Sequence, residues 1–345
     1  MKKVFFAFLM AMLAIFPIGC GQNNNNASET NNHNEDKNNQ KEIEIYTTIY
    51  PLTDFTKKIG GKYVHVESVY PPNVEAHTYE PTLKTLEAIA KADLFIYTGA
   101  GIEGFADKAE KTLKDGNVKI VKAAEGIPLL SASEDEHDHE SGEEEHSHHE
   151  EDSDHEEEHG NQNEEEHDHA HGDVDPHVWL DPNRAITLAE NIKNALTEAA
   201  PDQKEYFEQN FAQLKQDLEE LDQSFQETIK KSKTKYILVA HAAYGYWEDR
   251  YDIEQIPISG LSPTDEPSQK QLVKIIELSK KHHLKHVIFE QNVSEKVAKI
   301  IQQEIGAKSL TLHNLESVSE TDLKNNEDYF SIMKRNLETL SEALN

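Results

Sequence analysis

Residues 236–259 read YILVAHAAYGYWEDRYDIEQIPIS, and their reading decides the fold. Tyr236–Ala240 is a short run of β-branched, aromatic and aliphatic residues, which reads as a buried strand. Tyr244–Tyr251 carries a helical pattern, and Ile253–Ile258 is a second strand. The same alternation continues downstream. Ser268–His282 reads as a helix, His286–Glu290 as a strand, Ser294–Ile305 as a helix and Lys308–Leu312 as a strand, with a closing helix at Asp328–Leu344. Strands that alternate with helices argue for a parallel sheet with helices on its faces.

A first set of such units lies upstream. Glu42–Thr48 (EIEIYTT), Val64–Val69, Leu94–Thr98 and Val118–Val121 read as strands. Leu52–Ile59, a segment from Pro81-Thr82 to about Lys91, and Phe105–Lys114 read as the intervening helices. Between the two sets stand a helix at Pro182–Ala199 and a longer amphipathic pattern from Asp202 to about Lys231, with Tyr206, Phe207, Phe211, Leu214, Leu218, Leu221, Phe225 and Ile229 as its apolar positions. About thirty helical residues would span ~45 Å, longer than one small domain needs. The expected fold is α/β: two lobes, each a mainly parallel sheet with flanking helices, joined by one long helix. Ligands of open α/β sheets bind outside the carboxyl ends of the strands, which places a site in the cleft between the lobes.

The ends and one internal stretch lack core-forming residues. Lys2 and Lys3, the apolar run Val4–Ile18, and Gly19-Cys20 read as a secretory signal rather than a spanning helix. Cys20 is the single cysteine of the chain, which excludes an internal disulfide. Residues 21–40 are rich in Asn and without apolar periodicity, as a solvated tether would be. Of the net charge of −31, twenty negative charges fall in Glu134–Asp173, a segment without Lys or Arg. That local excess argues against nucleic acid and for a cation as partner.

Four residues stand where chemistry is expected. His77 lies in PPNVEAHTYEP (71–81), after a strand and before a helix. His177 lies in DPHVWLDP (175–182), just before a helix. His241 follows YILVA directly, and Glu316 follows the strand that ends near Leu312. Any one histidine alone is more often a surface or capping residue. Their convergence on equivalent positions of both lobes favours a site, and three imidazoles with one carboxylate suit tetrahedral zinc. Trp179 and Trp247, each close in sequence to one of these histidines, are expected to wall the cleft. Gly99–Gly104 spells G-x-G-x-x-G after a strand, but that strand is the third of its set, so a dinucleotide site is set aside. His282, His283 and His286 read as part of a solvated basic face.

These stretches resemble the metal-binding lipoproteins of bacterial ABC importers, the cluster A-I solute-binding proteins, and their zinc-selective branch in particular. TTIYPLTDF (47–55), DLFIYTGAGIE (93–103), VAHAAYGYW (239–247) and NLES (314–317) carry the likeness along with the two histidine segments quoted above. The resemblance implies two (β/α)4-type lobes, a rigid linking helix, and His77, His177, His241 and Glu316 as ligands of a transported Zn2+. It implies lipidation of Cys20, although Pro17 stands where an aliphatic residue is usual. It also implies a monomer on the extracytoplasmic face of the cell membrane, serving an importer's permease and ATPase. The expected divisions are a signal at 1–20, a tether at 21–40, an N-terminal lobe at 41–200, the helix at 201–232 and a C-terminal lobe at 233–345. A histidine at 241, where the manganese branch carries a carboxylate, points to zinc.

Within 134–173, His137, His139, His146, His148, His149, His155, His159, His167, His169 and His171 interleave with the acids. Such a tract favours metal binding, more weakly than a preorganised cleft would. Three alternatives remain open on sequence. One is a manganese- or iron-binding member of the same family. A second is an exported zinc hydrolase, although there is no HExxH helix and no evident general base. The third is an adhesin, although no surface patch for it is evident.

Overall fold

The structure, a computed structural model, describes residues 41–113, 116–132, 174–291 and 293–345. The signal segment with Cys20, the tether and the ten histidines of 134–173 lie outside the described residues. Two four-stranded sheets are present, parallel throughout. The first contains β1 (Ile43–Thr47), β2 (Val64–Ser68), β3 (Leu94–Tyr97) and β4 (Lys119–Lys122), in the order β2-β1-β3-β4. The second contains β5 (Tyr236–His241), β6 (Glu254–Ser259), β7 (His286–Glu290) and β8 (Lys308–Leu312), in the order β6-β5-β7-β8. The two orders are equivalent, so each sheet reverses direction beside its own first strand. That switch point is where an open parallel sheet offers a crevice.

The helices of the first lobe are α1 (Tyr50–Gly60), α2 (Leu83–Ile89) and α3 (Ala106–Leu113). Two longer helices follow, α4 (Pro182–Ala199) and α5 (Lys204–Lys230). The second lobe has α6 (Gly245–Tyr251), α7 (Gln269–Lys281), α8 (Lys296–Ile305), α9 (Glu320–Lys324) and α10 (Tyr329–Ala343). Caps fix several starts: Thr82 accepts from Thr85 N, Asp181 from Asn183 N, and Ser268 and Asp328 form capping boxes. The expected helix at Asp202–Lys231 divides, because Pro201–Gln203 is a 3-10 turn and α5 begins only at Lys204. The five-residue α9 escaped sequence reading because it is too short to show periodicity.

At 27 residues, α5 is about 40 Å long. Phe207, Leu214, Leu218, Leu221, Phe225 and Ile229 are its buried stripe. The amino-terminal part packs with α1 and α4, and the carboxyl-terminal part with α6 and α10. One apolar core therefore runs from the first sheet, under α4 and α5, to one face of the second sheet at Ile237, Val239, Ile288 and Leu312. The opposite face of the second sheet has a small core of its own, where Leu238, Ile256, Val287 and Phe289 meet Ile275, Ala298 and Ile301 of α7 and α8. No described helix is long and apolar enough to cross a membrane.

Phe225 is fully buried, stacked on Tyr251 at 5.5 Å and tilted against Trp247 at 5.4 Å. Phe225→Ala should destabilise the protein by about 3–5 kcal/mol through lost burial and a cavity. Urea unfolding checks this, and a change below about 1 kcal/mol would show that α5 does not carry the second lobe's core in this way.

Candidate metal centre

The structure brings together all four residues that sequence reading singled out for the cleft. One ligand-type atom from each of His77, His177, His241 and Glu316 lies within 4.8 Å of all the others. Glu316 Oε1 is 3.4 Å from His77 Nε2, 3.5 Å from His177 Nε2 and 3.6 Å from His241 Nε2. A tetrahedron with bonds of 2.0–2.1 Å has edges of about 3.4 Å. All four atoms are buried and none has a hydrogen-bond partner. Leaving such atoms unpaired is costly, and a shared cation satisfies all of them at once.

Each ligand is placed by different local chemistry. His241 is the last residue of β5, so its ring projects from the carboxyl edge of the second sheet. Its Nδ1 lies 2.8 Å from Glu290 Oε2, at the end of neighbouring β7. His177 stands ahead of α4, where Asp175 Oδ1 accepts its backbone N–H at 2.9 Å and lies 2.8 Å from its Nδ1. A carboxylate behind each of these two imidazoles holds the ring with its Nε2 facing Glu316, the arrangement that carboxylates give to metal-binding imidazoles. Gly245 is required here, because a Cβ at that position would come within 2.5 Å of Asp175 Oδ2.

His77 sits on the loop between β2 and α2. Glu75 shapes that loop by accepting the N–H groups of His77 and Thr78, both at 2.9 Å, and the Thr78 hydroxyl at 2.6 Å. The loop is also tied to the segment bearing Glu316, since Ser317 Oγ donates to Val74 O at 2.7 Å and Asn73 N to Val318 O at 2.9 Å. Glu316 in turn receives Tyr50 N on its carbonyl at 3.2 Å. The first and second lobes thus meet at the site through backbone hydrogen bonds as well as through the four side chains.

The electrostatics suit a cation. Burial opposes the charge of Glu316, but His77, His177 and His241 together hold its pKa well below the ordinary carboxylate value. Burial lowers the pKa of His241, yet the Glu290 carboxylate beside it more than reverses this and lifts it to about 10. For His177 burial is likewise outweighed, by the neighbouring carboxylates of Asp175 and Glu316, and its pKa is raised. Both raised values reflect surrounding carboxylates that a proton or a metal ion can neutralise.

Asp175 and Glu290 were missed in sequence. Asp175 stands two residues before His177, and Glu290 ends an otherwise apolar strand, HVIFE, as a buried carboxylate. Neither signal says which imidazole it serves. Trp179 meets the expectation of a wall, with its ring 5.4 Å from that of His177 and its Nε1 donating to Asn314 O at 2.8 Å. Trp247 instead lies tilted against Tyr244, with ring centres 4.8 Å apart, and donates to Leu180 O.

In the G-x-G-x-x-G turn, the Glu103 carboxylate accepts Thr98 N at 2.7 Å and Thr48 Oγ1 at 2.6 Å, so the chain's own carboxylate takes up an amide that a bound phosphate would need. His282 lies tilted against Tyr236 with ring centres 3.6 Å apart. Among the described residues, the four ligand candidates are the one group of this kind.

Comparison with known proteins agrees with this geometry. The family model "Zinc-uptake complex component A periplasmic", ZnuA, matches residues 45–343. The high-affinity zinc uptake system protein ZnuA of Bacillus subtilis is 36% identical over 343 residues, covering 99% of this chain and 98% of that protein. The zinc-binding lipoprotein AdcA of Streptococcus pneumoniae is 35% identical over 99% of this chain, which spans 61% of AdcA's length. The crystal structure of the Zn(II)-bound ZnuA-like domain of that AdcA superposes with a TM-score of 0.68 at 34% identity, covering 88% of this chain and 99% of the domain. The chain therefore belongs to the ZnuA family of zinc-uptake proteins.

Proposed function

We propose that this chain is an extracytoplasmic solute-binding protein that captures zinc with His77, His177, His241 and Glu316 and presents it to an ABC importer. The observation that carries this is the convergence of four buried, unpartnered ligand atoms within 4.8 Å of one another, with each imidazole nitrogen 3.4–3.6 Å from Glu316 Oε1. Family membership supports the same reading. With four protein ligands the zinc has no open position for a water nucleophile, which fits capture rather than hydrolysis. Three imidazoles suit zinc better than manganese.

The accompanying assignments rest on the sequence. Residues 1–20 are the signal, with Cys20 lipidated and 21–40 tethering the protein to the membrane. Residues 41–200 and 233–345 are the lobes and 201–232 the link. The protein acts as a monomer with the permease and ATPase as partners. The histidines of 134–173 hold further zinc weakly, as a local reserve.

Replacing His77, His177 or His241 by Ala should each weaken zinc binding strongly, and Glu316→Ala less, since water can take its position. Calorimetry decides this; unchanged tight binding in a variant lacking both His177 and His241 would overturn the assignment.

Zinc must displace protons from rings whose pKa values are raised. A raised imidazole pKa favours the protonated, metal-free form, so affinity should rise with pH through the neutral range and toward about 10. The slope should be about tenfold per pH unit for each displaced proton. The buffer dependence of the binding enthalpy counts those protons, and a pH-independent affinity between 6 and 8 would contradict the proposed ligands.

Deleting residues 134–172 should leave one tight site and remove several weak ones. In that variant zinc should displace manganese readily, while copper(II) and cobalt(II) compete well. His241→Glu should narrow the gap between zinc and manganese by adding an oxygen donor. Manganese binding as tight as zinc would move the chain to the manganese branch, and loss of the tight site on deletion would make the insert a source of primary ligands.

A further inference from the structure

Like His77, Glu316 is not carried by a strand or a helix. It lies on the connection between β8 and α9 rather than at a strand end. The residue before it, Leu315, is fully buried with φ at 61°, in the left-handed region that side-chain-bearing residues rarely adopt. Such a conformation persists only where the surroundings enforce it.

The enforcing contact is visible. Leu315 N donates to Nδ1 of His313 at 2.9 Å. This bond assigns the tautomer, because Nδ1 must present a lone pair and the proton of the neutral ring is then on Nε2. His313 is 2% exposed and tightly held. Its N–H donates to Asn336 Oδ1 at 2.9 Å, and Asn336 Nδ2 donates to its carbonyl at 2.7 Å. Its Nε2 lies 3.4 Å from Asp322 Oδ2, and Arg335 reaches the other oxygen of Asp322 at 3.3 Å. The backbone of His313 is therefore held by Asn336 of α10, its Nε2 faces Asp322 of α9, and its Nδ1 holds the Leu315 amide.

We propose that His313 is the positioning residue for the fourth ligand: its Nδ1 lone pair holds Leu315 in the left-handed conformation that turns Glu316 toward the three imidazoles. The inference rests on Glu316 being a ligand. Without the acceptor, the buried Leu315 N–H would be unpaired and the backbone would relax. Glu316 would then turn away, leaving a site of three histidines.

Two near-isosteric changes separate this role from simple packing. Asparagine places its amide oxygen close to the Nδ1 position, whereas glutamine reaches toward Nε2 and leaves the Leu315 N–H without its acceptor. His313→Asn should bind one equivalent of zinc nearly as tightly as the parent. His313→Gln should lose about 10- to 100-fold and, loaded with cobalt(II), should show the visible absorption spectrum of Glu316→Ala. Combined with Glu316→Ala, it should cause no further loss; combined with His77→Ala, the losses should add. Asn336→Ala, which frees the His313 backbone, supplies the same cycle if His313→Gln does not fold.

Equal losses in the Asn and Gln variants, additivity with Glu316→Ala, or a parental cobalt spectrum in His313→Gln would each overturn the proposal. Unchanged zinc affinity in Glu316→Ala alone would overturn the ligand assignment and this inference with it. The single variant separates that failure from the others.

Discussion

Four buried donor atoms directed at one point are the constraint on which the rest of this structure depends. Three imidazole nitrogens and a carboxylate oxygen, each without a hydrogen-bond partner, cannot be withdrawn from water at small cost unless a positive charge joins them. Protons can partly fill that role, which is why the imidazoles of His177 and His241 bind them more firmly than usual. A divalent cation fills it fully. Proton and metal ion would compete for the same lone pairs.

The two-lobe architecture is how such a cluster is assembled from distant parts of the chain. His241 comes from a strand end of the second sheet, Glu316 from beyond its last strand, His77 from a loop of the first lobe and His177 from the segment ahead of α4. Equivalent strand orders bring the carboxyl ends of both sheets into use. The long helix and the continuous core hold the second sheet's inner face to the first lobe. Hydrogen bonds across the site, from Tyr50 to Glu316 and from Trp179 to Asn314, add directional restraint. The cluster is enclosed, and His77 is the one of its four members whose side chain keeps appreciable access to solvent, at 11%.

The four donor atoms are placed by groups outside the cluster. Asp175 and Glu290 stand behind two of the imidazoles, Glu75 shapes the loop of the third, and His313 with Asn336 steadies the connection bearing Glu316. Each supporting group is itself held, Asp175 through its carbonyl by Tyr246 and Glu290 by Asn314. Donor placement to a few tenths of an ångström therefore depends on hydrogen bonds two layers deep.

Much was legible in the sequence because local chemistry decides it. The period-2 and period-3.6 patterns fixed most strands and helices, since burial of one face needs only neighbours in the chain. Proline and capping residues marked the starts of α2 and α4. The four ligand candidates stood out as histidines and an acid just beyond strands or ahead of helices. The pairing of His241 with Glu290, 49 residues apart, was not legible, because nothing local ties a strand-end carboxylate to one particular imidazole. Nor was the left-handed Leu315, which carries a branched side chain where a glycine would have announced the turn. The sequence by itself determined which residues could bind metal and which segments would be strands or helices. Only the tertiary structure decided which donors meet, which carboxylate orients which ring and how Glu316 is turned inward, because those depend on contacts between segments that the chain brings together only on folding.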